Sequence, residues 1–478
     1  MTSDPAPHRP HPPPPPARRV VVVGAGIAGL AAGTAVRRAA PGVEIVVLEA
    51  SPVVGGKLAR AEVGGVRVDV GAESMLNRRP EAVTLAREAG LGDRLVHPAS
   101  ITANLWSRGR MRPMPRTLMG VPTDARLLAD SGVISPAGLA RVALEPILPA
   151  TRVDGQDVSI GWLVEERFGR EVVDRLVEPL LGGVYAGHAR EISARAAVPQ
   201  VVALLDRDRS MMRAAAAVTA QTSDVPVFAG LVGGLGQLPE ALAEGLDVRT
   251  GRAVRELSGT GDGWRLVVGS AHDPEVLDAD AVILATPAHA TGRLLADVAP
   301  DAALELSRVE YASMAIVTLA FRARDLPATE GSGFLVPPVD HRTVKAATYS
   351  FAKWDWVREA GSADGVLLMR CSIGRHREEA VLQRTDDELV QAALEDLADA
   401  VGLSVRPVDA HVQRWGGALP QYAVGHLDRV AAIRRAVAAH PGLALCGAAY
   451  DGLGLPACIA SAQRAATQVL EALLRQGE

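Results

Sequence analysis

The glycine pattern after the first run of valines constrains this 478-residue chain more than anything else in it. Val20 to Val23 are four consecutive β-branched residues, which suits a strand buried on both faces of a parallel sheet. Gly24-Ala25-Gly26-Ile27-Ala28-Gly29 turns the chain, and Leu30 to Ala40 is alanine-rich and reads as a helix. A second β-branched run, Val43 to Leu48, completes a βαβ unit. Gly24 permits the tight turn, Gly26 lets a pyrophosphate approach the backbone, and Gly29 lets helix and strand pack closely. The helix N-terminus then offers free N–H groups and a partial positive charge to phosphates. Glu49, followed by Ala50, stands where a carboxylate can accept both ribose hydroxyls of an adenosine. In this strand–turn–helix setting the pattern predicts dinucleotide binding, and the carboxylate argues against a 2′-phosphate.

Two further motifs follow. Gly55-Gly56-Lys57 puts a cation just beyond a glycine pair, within reach of a pyrophosphate or a flavin. Gly71-Ala72-Glu73-Ser74 comes after a predicted hairpin, in which Leu58, Val63, Val66, Val68 and Val70 alternate around Gly64-Gly65. Lysine occurs only at 57, 345 and 353 in a chain with 50 basic residues, which makes Lys57 worth attention.

Later segments suggest how the chain is divided. Residues 80–224 are predicted largely helical, residues 246–290 return to strands, and 313–321, 345–351 and 365–373 are further strand candidates. Helices are expected near 376–401 and 426–439. Leu443 to Cys446 then repeats the opening theme: a buried strand, a glycine-rich turn and a helix from Ala457 to Leu474. This predicts an α/β fold with a Rossmann-like domain assembled from 18–79, 225–295 and 430–478. A helical insertion over 80–224 and an α+β domain with a mixed sheet over 296–429 would hold the substrate. The proline-rich lead, residues 1–17, is expected to be disordered and is not a signal peptide.

Composition excludes several classes. A net charge of −5 argues against general nucleic-acid binding. Three scattered cysteines offer neither a disulfide framework nor a metal site, and they suit a reducing, cytoplasmic compartment. No apolar run is long enough to predict a transmembrane anchor.

The segments VVGAGIAGLAAG, LEAS, GGK and DVGAES together resemble the flavin-containing amine oxidase superfamily. Gly182-Gly183-Val184-Tyr185-Ala186-Gly187 and the closing DGLGLPACI resemble, more particularly, its protoporphyrinogen and coproporphyrinogen oxidases. The resemblance runs from about residue 19 to 474. It implies FAD along Gly24–Gly29, Glu49, Ala50, Lys57, Gly71, Ala72, Glu73 and Ser74. Val254 resembles the position whose backbone holds the adenine, Trp415 the aromatic near the flavin, and Leu453-Gly454-Leu455 the turn that starts the last helix. Some superfamily members attach flavin through a cysteine; none stands between Trp415 and Tyr422, so noncovalent FAD is expected. No residue stands out as a general base.

The resemblance implies a porphyrinogen as substrate, oxygen as acceptor and transient contact with the next haem-pathway enzyme. Arg108, Arg110 and Arg112 could meet propionates bidentately, which favours the four-propionate coproporphyrinogen III over protoporphyrinogen IX. Ala103 stands where related enzymes place a propionate-binding arginine. An amine oxidase of the same fold would want an aromatic cage, and aromatics are only 3% of this chain. A flavin-free binding protein on this fold is the remaining alternative, and the intact glycines, Glu49 and Lys57 speak against it.

Overall fold

The valine run lies at the centre of a parallel sheet in the computed structural model, which describes residues 18–220 and 225–475. The proline-rich lead expected to be disordered falls outside those residues. Arg19–Val23 pairs in parallel with Glu44–Leu48 on one side and Ala281–Leu284 on the other. Asp247–Arg249 and Leu443–Leu445 form the two edges of this five-stranded sheet. Val20, Val21 and Val22 are fully buried because both faces are covered. The helices Ile27–Ala39 and Leu455–Arg475 pack against each other over one face. Trp264, Leu294 and Val430 contribute to the core on the other. Sheet segments from the start, middle and end of the chain thus form one layer, as the sequence predicts.

The predicted hairpin is present as Arg60–Val63 and Val66–Asp69. Its turn residues Gly64 and Gly65 both have positive φ, the condition for a tight two-residue turn.

A second, seven-stranded sheet runs in the order 409–420, 311–322, 366–373, 344–349, 333–335, 103–107, 110–113. Its neighbours are antiparallel except Gly333–Leu335 beside Ala103–Ser107. Side chains alternate across it. Ala315, Val317, Met369, Cys371 and Phe334 pack against the helix Asp386–Val401 behind the sheet. Ala320 and Leu368 face forward and pack on the hairpin, while Leu335 packs on the helical region. The expectation of a largely helical stretch over 80–224 therefore misses the strands Ala103–Ser107 and Arg110–Pro113, which complete the far edge of this sheet. Arg110–Pro113 carries polar residues on an exposed edge and has no apolar alternation to reveal it.

Helices do dominate the rest of that stretch. Ile160–Phe168 leads through Arg170–Val172 into five residues of π-helix, Val173–Val177, and then Glu178–Tyr185. π-Helical turns occur mostly as insertions near functional sites. Here the turn delivers Gly182 and Gly183 to the front of the seven-stranded sheet, where the atom nearest to a side chain placed on Gly183 would belong to Leu335.

Candidate functional site

The site is built around the Gly24–Gly29 turn. The Gly24 N–H donates to the Leu48 carbonyl at 2.7 Å, tying the turn to the end of the second strand. A side-chain carbon on Gly29 would lie 1.8 Å from the Gly24 carbonyl oxygen, so only glycine lets the helix leave the strand this closely. At Gly26 the same position meets no heavy atom within 4 Å. The backbone therefore forms a bare cradle at the start of the helix, which fits a pyrophosphate.

Glu49 closes the neighbouring corner. Its Oε2 accepts the Ala25 N–H at 2.7 Å and its Oε1 accepts the Ser51 N–H at 2.8 Å. Its backbone pairs with Arg249 and Arg252, which leads to the half-buried Val254 at the start of a separate antiparallel sheet. The adenosine-binding candidates Glu49, Ala50 and Val254 are thus in one corner.

A chain of contacts continues from the cradle. The Gly55 N–H donates to the Ala25 carbonyl at 2.9 Å, and the Ala72 N–H to the Lys57 carbonyl at 3.2 Å. Trp415 donates its indole N–H to the Val70 carbonyl at 3.0 Å. A side-chain carbon on Gly71 would lie 2.0 Å from the Lys57 carbonyl oxygen and 3.2 Å from the Trp415 ring, so the indole sits directly against that glycine. Lys57 is exposed to solvent next to Gly56, with protein crowded around it. That desolvation lowers its ammonium pKa, against the opposing influence of Cys458. Cys458 lies in the first turn of the closing helix, behind Leu453, Gly454 and Leu455, and burial pushes its thiol up to about 12. Cradle, Lys57, Gly71, Trp415 and the 453–455 turn are therefore neighbours, although they come from opposite ends of the chain.

Glu73 has a different place from its neighbours. Its carboxylate accepts from the Lys353 ammonium and the Arg370 guanidinium, each at 2.6 Å. Arg370 also donates to the Gly71 carbonyl at 2.6 Å. Burial would raise the Glu73 pKa, but the two cations more than offset it and hold the carboxyl at about 2. With both oxygens so engaged, Glu73 fastens the Gly71 segment to the seven-stranded sheet. Ser74 follows it, half-buried.

The arginines expected to meet propionates are not gathered at this cleft. Arg108 sits in the hairpin turn at φ 54°, where it donates to the Val133 carbonyl and pairs with Glu171. Arg112 donates to Ser107 within its own hairpin, and Arg110 is exposed on the edge strand. That edge and the strand of Trp415 are the two borders of the sheet, six strand spacings or roughly 29 Å apart along it.

The flavin containing amine oxidoreductase family matches residues 27–470. The chain belongs to that family. A Mycobacterium tuberculosis (strain H37Rv) protein named coproporphyrinogen III oxidase is 39% identical, over 95% of this chain and 97% of its own length. A Bacillus subtilis (strain 168) protein of the same name is 31% identical, over 94% and 97%. Among solved structures, an Exiguobacterium sp. 255-15 protein provisionally described as a protoporphyrinogen oxidase superposes with a TM-score of 0.85. It shares 33% identity over 95% of this chain and 99% of its own. This flavin-dependent oxidoreductase takes FAD as its cofactor, and the Gly26 cradle and Glu49 corner fit that molecule's two ends of the pyrophosphate-linked adenosine.

Several residues of this oxidoreductase were beyond sequence reasoning. Arg370 and Lys353 are recognisable only once the sheet register places them over Glu73. Asp69 ends the second strand of the hairpin, is 4% exposed and accepts the N–H groups of Leu235 and Gly236. Burial raises it to about 6. The lysines carry one signal: of the three in the chain, Lys57 is exposed beside the Gly26 cradle, Lys353 holds Glu73, and Lys345 is buried in the sheet.

Proposed function

We propose that this flavoprotein oxidises coproporphyrinogen III to coproporphyrin III, a six-electron step of haem biosynthesis, with oxygen as acceptor and hydrogen peroxide as by-product. The observation that carries the reading is the near full-length similarity to two bacterial chains named coproporphyrinogen III oxidase. Protoporphyrinogen IX is the second reading, favoured by the name given to the Exiguobacterium structure. In either case FAD, when bound, supplies a two-electron acceptor that oxygen regenerates.

The chain's own residues provide binding, orientation and exclusion of water. Glu49 would hold the ribose and the Gly24–Gly29 backbone the pyrophosphate. Lys57 would place positive charge at the flavin side, against which Trp415 and the Leu453–Leu455 turn close. With no cysteine between Trp415 and Tyr422, attachment would be noncovalent. The porphyrinogen would lie on the forward face of the seven-stranded sheet, over Met314, Ile316, Ser372 and Ala346, which alternate with the rear-facing core residues. Gly182 and Gly183 cover it, and at Gly182 no heavy atom lies within 4 Å of where a side chain would begin. On this reading residues 18–79, 225–295 and 430–478 form the FAD domain, and 80–224 with 296–429 enclose the substrate. No described helix is long and apolar enough to cross a membrane, and we place the enzyme in the cytoplasm, where the next haem-pathway enzyme could receive the product.

The purified protein should be yellow and release intact FAD on denaturation. With coproporphyrinogen III it should form three molecules of peroxide per coproporphyrin. A flavin-loaded protein that leaves coproporphyrinogen III at its spontaneous oxidation rate would overturn the reading.

A further inference from the structure

His289 and Arg293 are exposed on one face of the helix Ala288–Leu294, and neither has a part in the site described above. Among the described residues, no carboxylate pairs with His289, with Arg293 or with the exposed Lys57.

The fold puts this helix beside the glycine turn. The strand Ala281–Leu284 runs parallel to Arg19–Val23, so both leave the sheet at the same edge. The Gly24 turn follows one strand and residues 285–289 follow the other. Their helices then diverge: Ala28, Leu30 and Ala31 pack on one face of the sheet, Ala288 and Leu294 on the opposite face. Adjacent parallel strands whose helices leave to opposite faces open a crevice at their C-terminal ends, where open α/β sheets take their ligands. The Ala285 N–H donates to the Val23 carbonyl at 2.9 Å. A side-chain carbon on Gly24 would lie 3.1 Å from the Ala285 oxygen and 3.5 Å from Thr286 Cγ2. His289 follows in the first turn of the helix.

A second contact fixes the other side of the imidazole. Its ring meets the Tyr311 ring edge to face, with centroids 5.8 Å apart. The Tyr311 hydroxyl accepts the Ala288 N–H at 2.8 Å, and its Cβ lies 3.9 Å from where a side chain on Gly417 would begin. Gly417 is in the strand of Trp415. His289 therefore stands between the pyrophosphate cradle and the Trp415 segment. Partial burial, then the charges of Arg293 and Lys57, lower its pKa, so Lys57 acts on the same space. Like charges gathered without a counter-ion favour an anion between them.

We propose that His289 is a side-chain ligand of the FAD pyrophosphate, donating an imidazole N–H to the phosphate nearer the flavin, with Lys57 as the second cation. This role rests on the FAD assignment and is independent of which porphyrinogen is oxidised. It adds a side-chain donor to a cradle otherwise made of backbone, and a neutral imidazole can supply it as well as a charged one.

The full-length, FAD-loaded protein and its variants His289→Ala, His289→Gln and His289→Arg test the proposal. FAD affinity is measured by equilibrium dialysis, and the two phosphorus resonances of bound FAD by phosphorus NMR at one fixed pH. His289→Ala should weaken FAD binding about tenfold, as expected for one lost hydrogen bond to a charged group, and should move one phosphorus resonance while leaving the other in place. Glutamine and arginine, which keep an N–H donor, should recover most of the affinity. Unchanged FAD affinity and resonances in His289→Ala would overturn the proposal. So would a loss of affinity with both resonances unmoved, or one that neither donor restores, since His289 would then act only by packing on Tyr311. Wild-type protein that purifies without FAD and cannot be loaded with it would instead refute the cofactor assignment, and that result appears before any variant is made.

Discussion

Replacing Glu73 by glutamine tests the junction between the cofactor side and the substrate sheet. The carboxylate faces two cations at 2.6 Å, and the side chains of Glu73, Lys353 and Arg370 are 15%, 18% and 9% exposed, so solvent screens them little. Holding the carboxyl at about 2, against an ordinary value of 4.5, corresponds to roughly 3 kcal/mol at about 1.36 kcal/mol per pH unit. Breaking a buried ion pair by removing one partner costs about 3–5 kcal/mol, which agrees. Lys353 keeps the face of Trp354, 5.4 Å from its ammonium, and Arg370 keeps the Gly71 carbonyl, so the lower half of that range is expected. Glu73→Gln should therefore lose about 3 kcal/mol at pH 7.5 in guanidinium unfolding, and flavin release should precede the loss of tryptophan signal. The sign with pH follows from the depressed folded-state pKa. The contribution of Glu73 is fully present above about 4.5 and is lost as pH falls toward 2. The gap between wild type and variant should accordingly close across that window. Equal midpoints at pH 7.5, or a gap that stays constant down to pH 3, would refute this reasoning.

Other expectations follow from the same geometry. Glu49→Ala should weaken FAD binding by about 1–3 kcal/mol, because a half-buried charged acceptor is lost; equilibrium dialysis measures it. Gly29→Ala puts a carbon 1.8 Å from a backbone oxygen, so the helix must shift; a loss of roughly 3 kcal/mol in stability with poor flavin retention is expected in thermal melts and absorbance. Asp69, raised to about 6 by burial, takes up a proton in the folded state, so wild-type stability should gain about 2–3 kcal/mol relative to Asp69→Asn as pH falls from about 6.5 to 4. Arg110→Gln with Arg112→Gln should leave KM for coproporphyrinogen III within about twofold in steady-state assays, since Arg110 is exposed on the sheet edge and Arg112 is tied to its own hairpin.

What the sequence revealed and what it concealed divide along locality. Val20–Val23, the glycine turn and Glu49 were legible because strand, turn and helix N-terminus are specified by adjacent residues. The hairpin at 60–69 was legible because its alternation and glycine pair are likewise local. Glu73 could be found by motif but not understood, because its partners lie 280 and 297 residues away and meet it only through sheet register. The arginines of 108–112 misled for the same reason. Charge spacing alone cannot say which border of a sheet a hairpin joins, and this one joins the border away from Trp415.

The most direct test is the steady-state oxidation of coproporphyrinogen III and protoporphyrinogen IX by the same FAD-loaded preparation, in buffer without detergent, with porphyrin fluorescence and oxygen uptake recorded together. Coproporphyrinogen III should give the higher kcat/KM, with oxygen consumed in proportion to porphyrin formed. A preference for protoporphyrinogen IX, or no turnover of either by protein that holds its flavin, would contradict it.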